Sequence, residues 1–86
     1  MAAPLKLLYF AWVRERIGVG AEELAVEGPV TLEALLGALR ARSPGHAAAL
    51  AEAGCLRAAI NGEMAGWEAI ARPGDEVALF PPMTGG

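Results

Sequence analysis

Thr31-Leu32-Glu33-Ala34-Leu35-Leu36-Gly37-Ala38-Leu39-Arg40 is the stretch on which the fold turns. Leu32, Leu35, Leu36 and Leu39 stand at the i, i+3, i+4, i+7 spacing of one buried helical face. Thr31 is a good N-cap, and Glu33 sits in the first turn, where the helix dipole favours negative charge. Arg40 and Arg42 lie near the other end, and Ser43-Pro44-Gly45 stops the helix. A helix with one apolar stripe needs a second layer to cover it.

Strand-like segments lie on both sides. Towards the N-terminus, Leu5-Lys6-Leu7-Leu8-Tyr9-Phe10 is rich in aromatic and branched residues. Alternation puts Leu5, Leu7 and Tyr9 on one face, and Lys6, Leu8 and Phe10 on the other. Ala11 to Ile17 has room for one or two helical turns before Gly18 and Gly20, and Glu22 to Glu27 reads as a half-exposed second strand ended by Gly28-Pro29. Towards the C-terminus, His46 to Ala53 reads as a second short helix ending at Gly54, and Leu56 to Ile60 as a third strand. Asn61-Gly62 is a strong hairpin-turn signal, with Met64 just beyond it. Pro73-Gly74-Asp75 then turns the chain into a last strand, Glu76 to Phe80. The order gives an α+β domain, one principal helix across a mixed sheet, over residues 1–80, with 81–86 as an extended tail. The expected core is Leu5, Leu7, Tyr9, Leu35, Leu36, Leu39, Ile60, Val77 and Leu79.

Composition narrows the function. The 86 residues allow one modest core, with 55% apolar and 20% charged residues. Net charge is −3, and no basic run alternates with aromatics, which argues against a nucleic-acid platform. Cys55 is the single cysteine, which fits a reducing, cytoplasmic setting. Leu7 to Val13 is too short to span a bilayer and runs into Arg14-Glu15-Arg16, so no membrane association is expected. No phosphate-cradling loop and no metal-ligand spacing occur, so no metal is expected. His46 has no sequence partner for nucleophilic catalysis and reads as a surface residue. Cys55 reads as a small apolar filler, and Asp75 and Glu76 as turn and strand-edge residues.

The tail is the unusual feature. Pro81-Pro82-Met83-Thr84-Gly85-Gly86 follows the last strand directly. Two prolines lack backbone donors and favour an extended conformation, so the sheet ladder cannot continue through them. Six extended residues reach on the order of 20 Å. A tip without side chains suits a narrow channel, where it would present a terminal carboxylate inside another protein.

Phe80-Pro81-Pro82-Met83-Thr84-Gly85-Gly86, with Gly74-Asp75-Glu76-Val77-Ala78-Leu79 before it, resembles the C-terminus of molybdopterin synthase small subunits. Leu8-Tyr9-Phe10-Ala11-Trp12-Val13-Arg14-Glu15 and Ala59-Ile60-Asn61-Gly62 resemble the same family at the corresponding places, so the likeness spans the chain. It implies the β-grasp, ubiquitin-like fold and a sulfur carrier. The family's chemistry would run through Gly86, with Pro81, Pro82, Met83, Thr84 and Gly85 threading into a partner. An E1-like activating enzyme would adenylate the Gly86 carboxylate with ATP, and a persulfide donor would supply the sulfur of a C-terminal thiocarboxylate. The carrier itself would hold no stable cofactor. A synthase large subunit would bind the cyclic pyranopterin that receives the sulfur, in an assembly of two large subunits with a carrier at each end. A carrier for thiamine, cysteine or tRNA thiolation shares the fold and the ending, and so does a ubiquitin-like protein modifier. Strand parity puts Leu8, Phe10 and Phe80 on one outer face, a candidate partner surface at the root of the tail, with Met64 reaching it from beyond the Asn-Gly turn and Arg14 at its rim.

Overall fold

The structure, a computed structural model, describes residues 3–82. Met83, Thr84, Gly85 and Gly86 lie outside the described residues.

Five strands form the main sheet: β1 (Leu5–Tyr9), β2 (Ala21–Leu24), β4 (Arg57–Ile60), β5 (Glu63–Ala65) and β7 (Glu76–Phe80), in the order β2-β1-β7-β4-β5. β1 and β7 pair in parallel at the centre, and the remaining neighbours are antiparallel. Two short strands, β3 (Val30–Thr31) and β6 (Ile70–Ala71), make a separate ladder. The helices are α1 (Ala11–Ile17), α2 (Leu32–Arg40) and α3 (Pro44–Ala49), followed by a 3₁₀ turn at Ala53–Cys55. This mixed sheet carrying one principal helix is the β-grasp arrangement.

The apolar stripe of α2 covers one face of the sheet, as its spacing requires. Leu32, Leu35, Leu36 and Leu39 are buried together with Leu5, Leu7, Tyr9, Val77 and Leu79. The Thr31 hydroxyl accepts from the Ala34 N–H, closing the N-cap. Ile60 lies opposite Val77 and packs against this core, but it is only half-buried because β4 ends there in a turn. Leu50 and Leu56 complete the core from irregular segments.

Several boundaries differ from the sequence reading. The second strand stops at Leu24, because its partner β1 begins at Leu5, directly opposite. Val26 still packs against the core from the following loop. The second short helix starts earlier than His46: Ser43 caps it and Pro44 occupies its first turn, so the tripeptide that ends α2 also begins α3. Asn61 and Gly62 both have positive φ, 50° and 86°, and this primed turn folds β5 back onto β4. Asn61 also accepts from the Glu76 N–H and donates to Asp75, which ties the hairpin to the start of β7.

His46 overturns the expectation of a surface residue. It is buried and joins a polar cluster with Glu22, whose carboxylate accepts from Tyr9 Oη at 2.6 Å and from His46 Nε2. With the proton on Nε2, Nδ1 accepts from the Ser43 hydroxyl at 2.7 Å, and Arg42 approaches Glu22 at 3.5 Å. Serine, histidine and glutamate are thus in a line, but Ser43 is also the cap of α3, accepting from the His46 N–H. The cluster pins the edge strand β2 to α3 across Tyr9.

Burial works against the Glu22 charge, yet the bonds from His46 and Tyr9, with the charge of Arg42, outweigh it and hold the carboxyl below its usual range. A depressed carboxyl stabilises the folded state above the unfolded-chain pKa, and that contribution is lost as pH falls through the folded value. Glu22→Gln is expected to cost roughly 1–3 kcal/mol at neutral pH. Urea midpoints should show the difference from wild type shrinking below about pH 4, near the ordinary glutamate pKa. A pH-independent difference would remove the ionised carboxylate from the explanation.

Candidate functional site

Parity sorts the residues of the sheet onto two faces, and the face away from α2 surrounds the tail root. Its central row runs Ala21, Leu8, Ala78, Ala59, Met64 across all five strands. One step towards the tail, Phe80 lies on β7 opposite Arg57 on β4. Phe10 donates its N–H to the Leu79 carbonyl at 3.2 Å, which carries the β1–β7 pairing one residue further and sets Phe10 beside Phe80. The Tyr9 N–H to Gly20 carbonyl bond extends the β1–β2 pairing in the same way and brings Val19 to this end. The opposite end of the face carries Glu23, Lys6 and Glu76 in one row.

Phe10 is 49% exposed, Val19 46% and Met64 66%. Of four large apolar residues exposed among the described residues, Phe10 and Val19 lie at the tail end of the outer face and Met64 in its central row, with Ile70 elsewhere. Apolar exposure gathered on one face, rather than scattered singly, is the pattern a contact surface would show. Small alanines between Leu8 and Met64 leave the middle of the face shallow, so the phenylalanines and the methionine stand proud of it.

The four expected partner-facing residues are brought together only in part. Phe10 and Phe80 are neighbours at the tail root. Met64 sits two strands from β7, a lateral offset of roughly 10 Å. Arg14 is exposed on α1, one turn beyond Phe10, with its guanidinium against Gly20 on the β2 side. Met64 and Arg14 therefore flank the aromatic pair from opposite sides. Val19 and Arg57 escaped the sequence reading. Parity placed neither beside the phenylalanines without the register between strands.

The tail leaves from the central strand. β7 ends at Phe80, and Pro81 and Pro82 continue without ladder hydrogen bonds, half-buried. Gly86, together with Met83, Thr84 and Gly85, falls outside the described residues. On the helical side lies an open groove of about 370 Å³ lined by Trp12, Arg16, Ala48, Ala49, Ala51, Glu52 and Cys55. Cys55 is exposed there, with Sγ 3.6 Å from Glu52 Oε2, and is not the core filler its residue type suggested. A 3₁₀ turn has too few residues to bury all its side chains, and Leu56 takes the inward position instead. Among the described residues no group of three His, Cys, Asp or Glu side chains could hold a metal ion. None of their helices is long and apolar enough to cross a membrane.

The model of the ThiS family matches residues 7–86, nearly the whole chain and the tail with it. The chain belongs to the ThiS family. It is 46% identical over 82 residues to the molybdopterin synthase sulfur carrier subunit of Escherichia coli, covering 95% of this chain and 99% of that protein. Among solved structures, SAMP1 from Haloferax volcanii superposes with a TM-score of 0.77 at 29% identity, covering 98% of this chain and all of that one. A chain in the complex of subunits 1 and 2 of the molybdopterin-converting factor from Helicobacter pylori superposes at 0.65, covering 96% and 99%, and its 19% identity speaks for the fold alone. The β-grasp fold that the family resemblance implied, and with which the order of elements agrees, is the fold of this ThiS-family chain.

Proposed function

We propose that this chain is the sulfur carrier subunit of a molybdopterin synthase, bearing its sulfur as a thiocarboxylate on Gly86. The observation that carries this reading is the 46% identity to a molybdopterin synthase sulfur carrier subunit along 99% of that protein's length. The position of the tail supports it: Pro81 and Pro82 leave the middle of the sheet beside an exposed aromatic surface, so docking and insertion can occur in one movement.

The reaction needs a leaving group first, because a carboxylate is a poor acyl electrophile. An E1-like enzyme would spend ATP to form the Gly86 acyl adenylate and release pyrophosphate. A persulfide's terminal sulfur would displace AMP, and a thiol would cleave the resulting acyl disulfide to leave the thiocarboxylate. That anionic sulfur is the nucleophile given to a cyclic pyranopterin held by the large subunit. In this scheme the chain is a carrier and co-substrate, it binds no cofactor of its own, and it works in the cytoplasm.

The outer face is the surface on which the large subunit would sit, since aromatics and methionine are the types enriched in interface cores. Phe10→Ala and Phe80→Ala should each weaken binding by about 2 kcal/mol or more, the range of interface hot spots. Calorimetry on folded variants measures this, and wild-type affinity in both would assign recognition to the tail alone. Mass spectrometry of the C-terminus tests the chemistry: sulfur in place of one oxygen on Gly86 is expected.

The likeness to SAMP1, a small archaeal modifier protein, supports a second reading in which Gly86 is joined to lysines of other proteins. Self-linked chains would be restricted to Lys6, which the sheet register sets between Glu23 and Glu76. Gly86 recovered in isopeptide linkage would favour this second reading.

A further inference from the structure

The tail root carries a cation whose partner is missing. Arg57 opens β4 opposite Phe80, so both side chains leave the outer face, with their Cα atoms roughly 5 Å apart. Arg57 is exposed, and Nη1 donates to the Leu56 carbonyl at 2.9 Å, which holds the guanidinium at the end of the strand. No carboxylate among the described residues pairs with it. Several other basic side chains have neighbours within the domain: Arg42 approaches Glu22, Arg40 donates to the Leu50 carbonyl, and Arg16 lies 4.5 Å from the Trp12 ring centroid, while Lys6 stands in register between Glu23 and Glu76.

A guanidinium beside an apolar docking row creates a requirement on whatever covers that row. Desolvating it without an acceptor is strongly unfavourable, whereas a carboxylate meeting its planar fork makes one of the stronger contacts proteins use. The outer face is also graded in charge, with Arg57 at the tail end and Glu23 and Glu76 around Lys6 at the far end.

We propose that Arg57 is a specificity-determining contact that receives a carboxylate of the partner at the mouth its tail enters. The partner surface is then an apolar pocket for Phe10 and Phe80 bordered on the β4 side by an aspartate or glutamate. The pairing orients the face, because turning the domain end for end would bring Glu23 and Glu76 onto the same carboxylate. This rests on the carrier reading, in which a large subunit covers the outer face.

The test is calorimetry of Arg57→Leu, Arg57→Glu and Phe80→Ala against the molybdopterin synthase large subunit of the same organism, at low and high salt. Arg57→Leu should weaken binding about tenfold and flatten its salt dependence, and Arg57→Glu should weaken it further, by like-charge repulsion. Affinity kept or raised in Arg57→Leu overturns the proposal, since a purely apolar or solvent-filled site would tolerate leucine. If Phe80→Ala still binds weakly in that case, the docking face stands and only the carboxylate contact fails. If Phe80→Ala also binds as wild type, the docking face fails with it.

Discussion

Deleting Gly86 should abolish sulfur transfer and leave the domain as stable as the full chain. The buried residues of the core run from Leu5 to Leu79, so removing the last residue takes no apolar side chain out of the interior. The chemistry, by contrast, depends on one atom group at one distance. Without Gly86 the terminal carboxylate stands one residue short, about 3.5 Å back from the site where it would be adenylated. Misplacement on that scale removes the alignment that makes a bound nucleophile effective, and can cost a factor of a hundred or more. One residue added after Gly86 should be equally damaging, because it converts the carboxylate into an amide. Gly85→Ala tests the channel, since one methyl should leave stability unchanged and strongly slow activation. Thiocarboxylate formation followed by mass spectrometry, beside thermal melts of the same variants, separates the two effects. A Gly86 deletion that still supplies sulfur at the normal rate would end the assignment of Gly86 as the reactive residue.

What could be read from the sequence depended on whether its cause was local. The stripe Leu32, Leu35, Leu36, Leu39 and the alternation Leu5, Leu7, Tyr9 are fixed by residues within one element, and both appear as read. Phe10 and Phe80 were assigned to the outer face by parity alone, and the pairing of β1 with β7 sets them side by side. His46 failed because its partner Glu22 lies 24 residues away on an edge strand, and no short spacing announces that contact. Arg57 and Val19 needed the register of β4 against β7 and of β2 against β1 before they belonged to any surface. The strands β3 and β6 have two residues each, too few for alternation to show. The end of the ladder was legible directly, since two prolines follow Phe80, where β7 stops, while Met83 to Gly86 stand outside the described residues.

Leu79 and Phe80 are consecutive on β7, but Leu79 is 1% exposed on the inner face while Phe80 is half-buried on the outer one. Leu79 lies between Tyr9 on β1 and Ala58 on β4, at the centre of the sheet and under α2. Leu79→Ala should therefore cost about 2–5 kcal/mol, the lost burial plus the cavity left where a central strand cannot close in. Leu39→Ala, from the opposite layer of the same core, should cost a similar amount. For a domain whose total stability is on the order of 5–10 kcal/mol, this is a large share. The Leu79 variant that remains folded should bind the large subunit nearly as wild type does, because the outer face keeps its side chains. Phe80→Ala should do the reverse, losing little stability and about 2 kcal/mol or more of binding. Denaturant midpoints and calorimetry on the same preparations give both quantities for both residues. If Leu79→Ala costs less than about 0.5 kcal/mol, the inner face has been assigned to the wrong side of β7. If Phe80→Ala is the more destabilising of the two, its ring serves the domain rather than the partner, and the docking surface must be sought elsewhere.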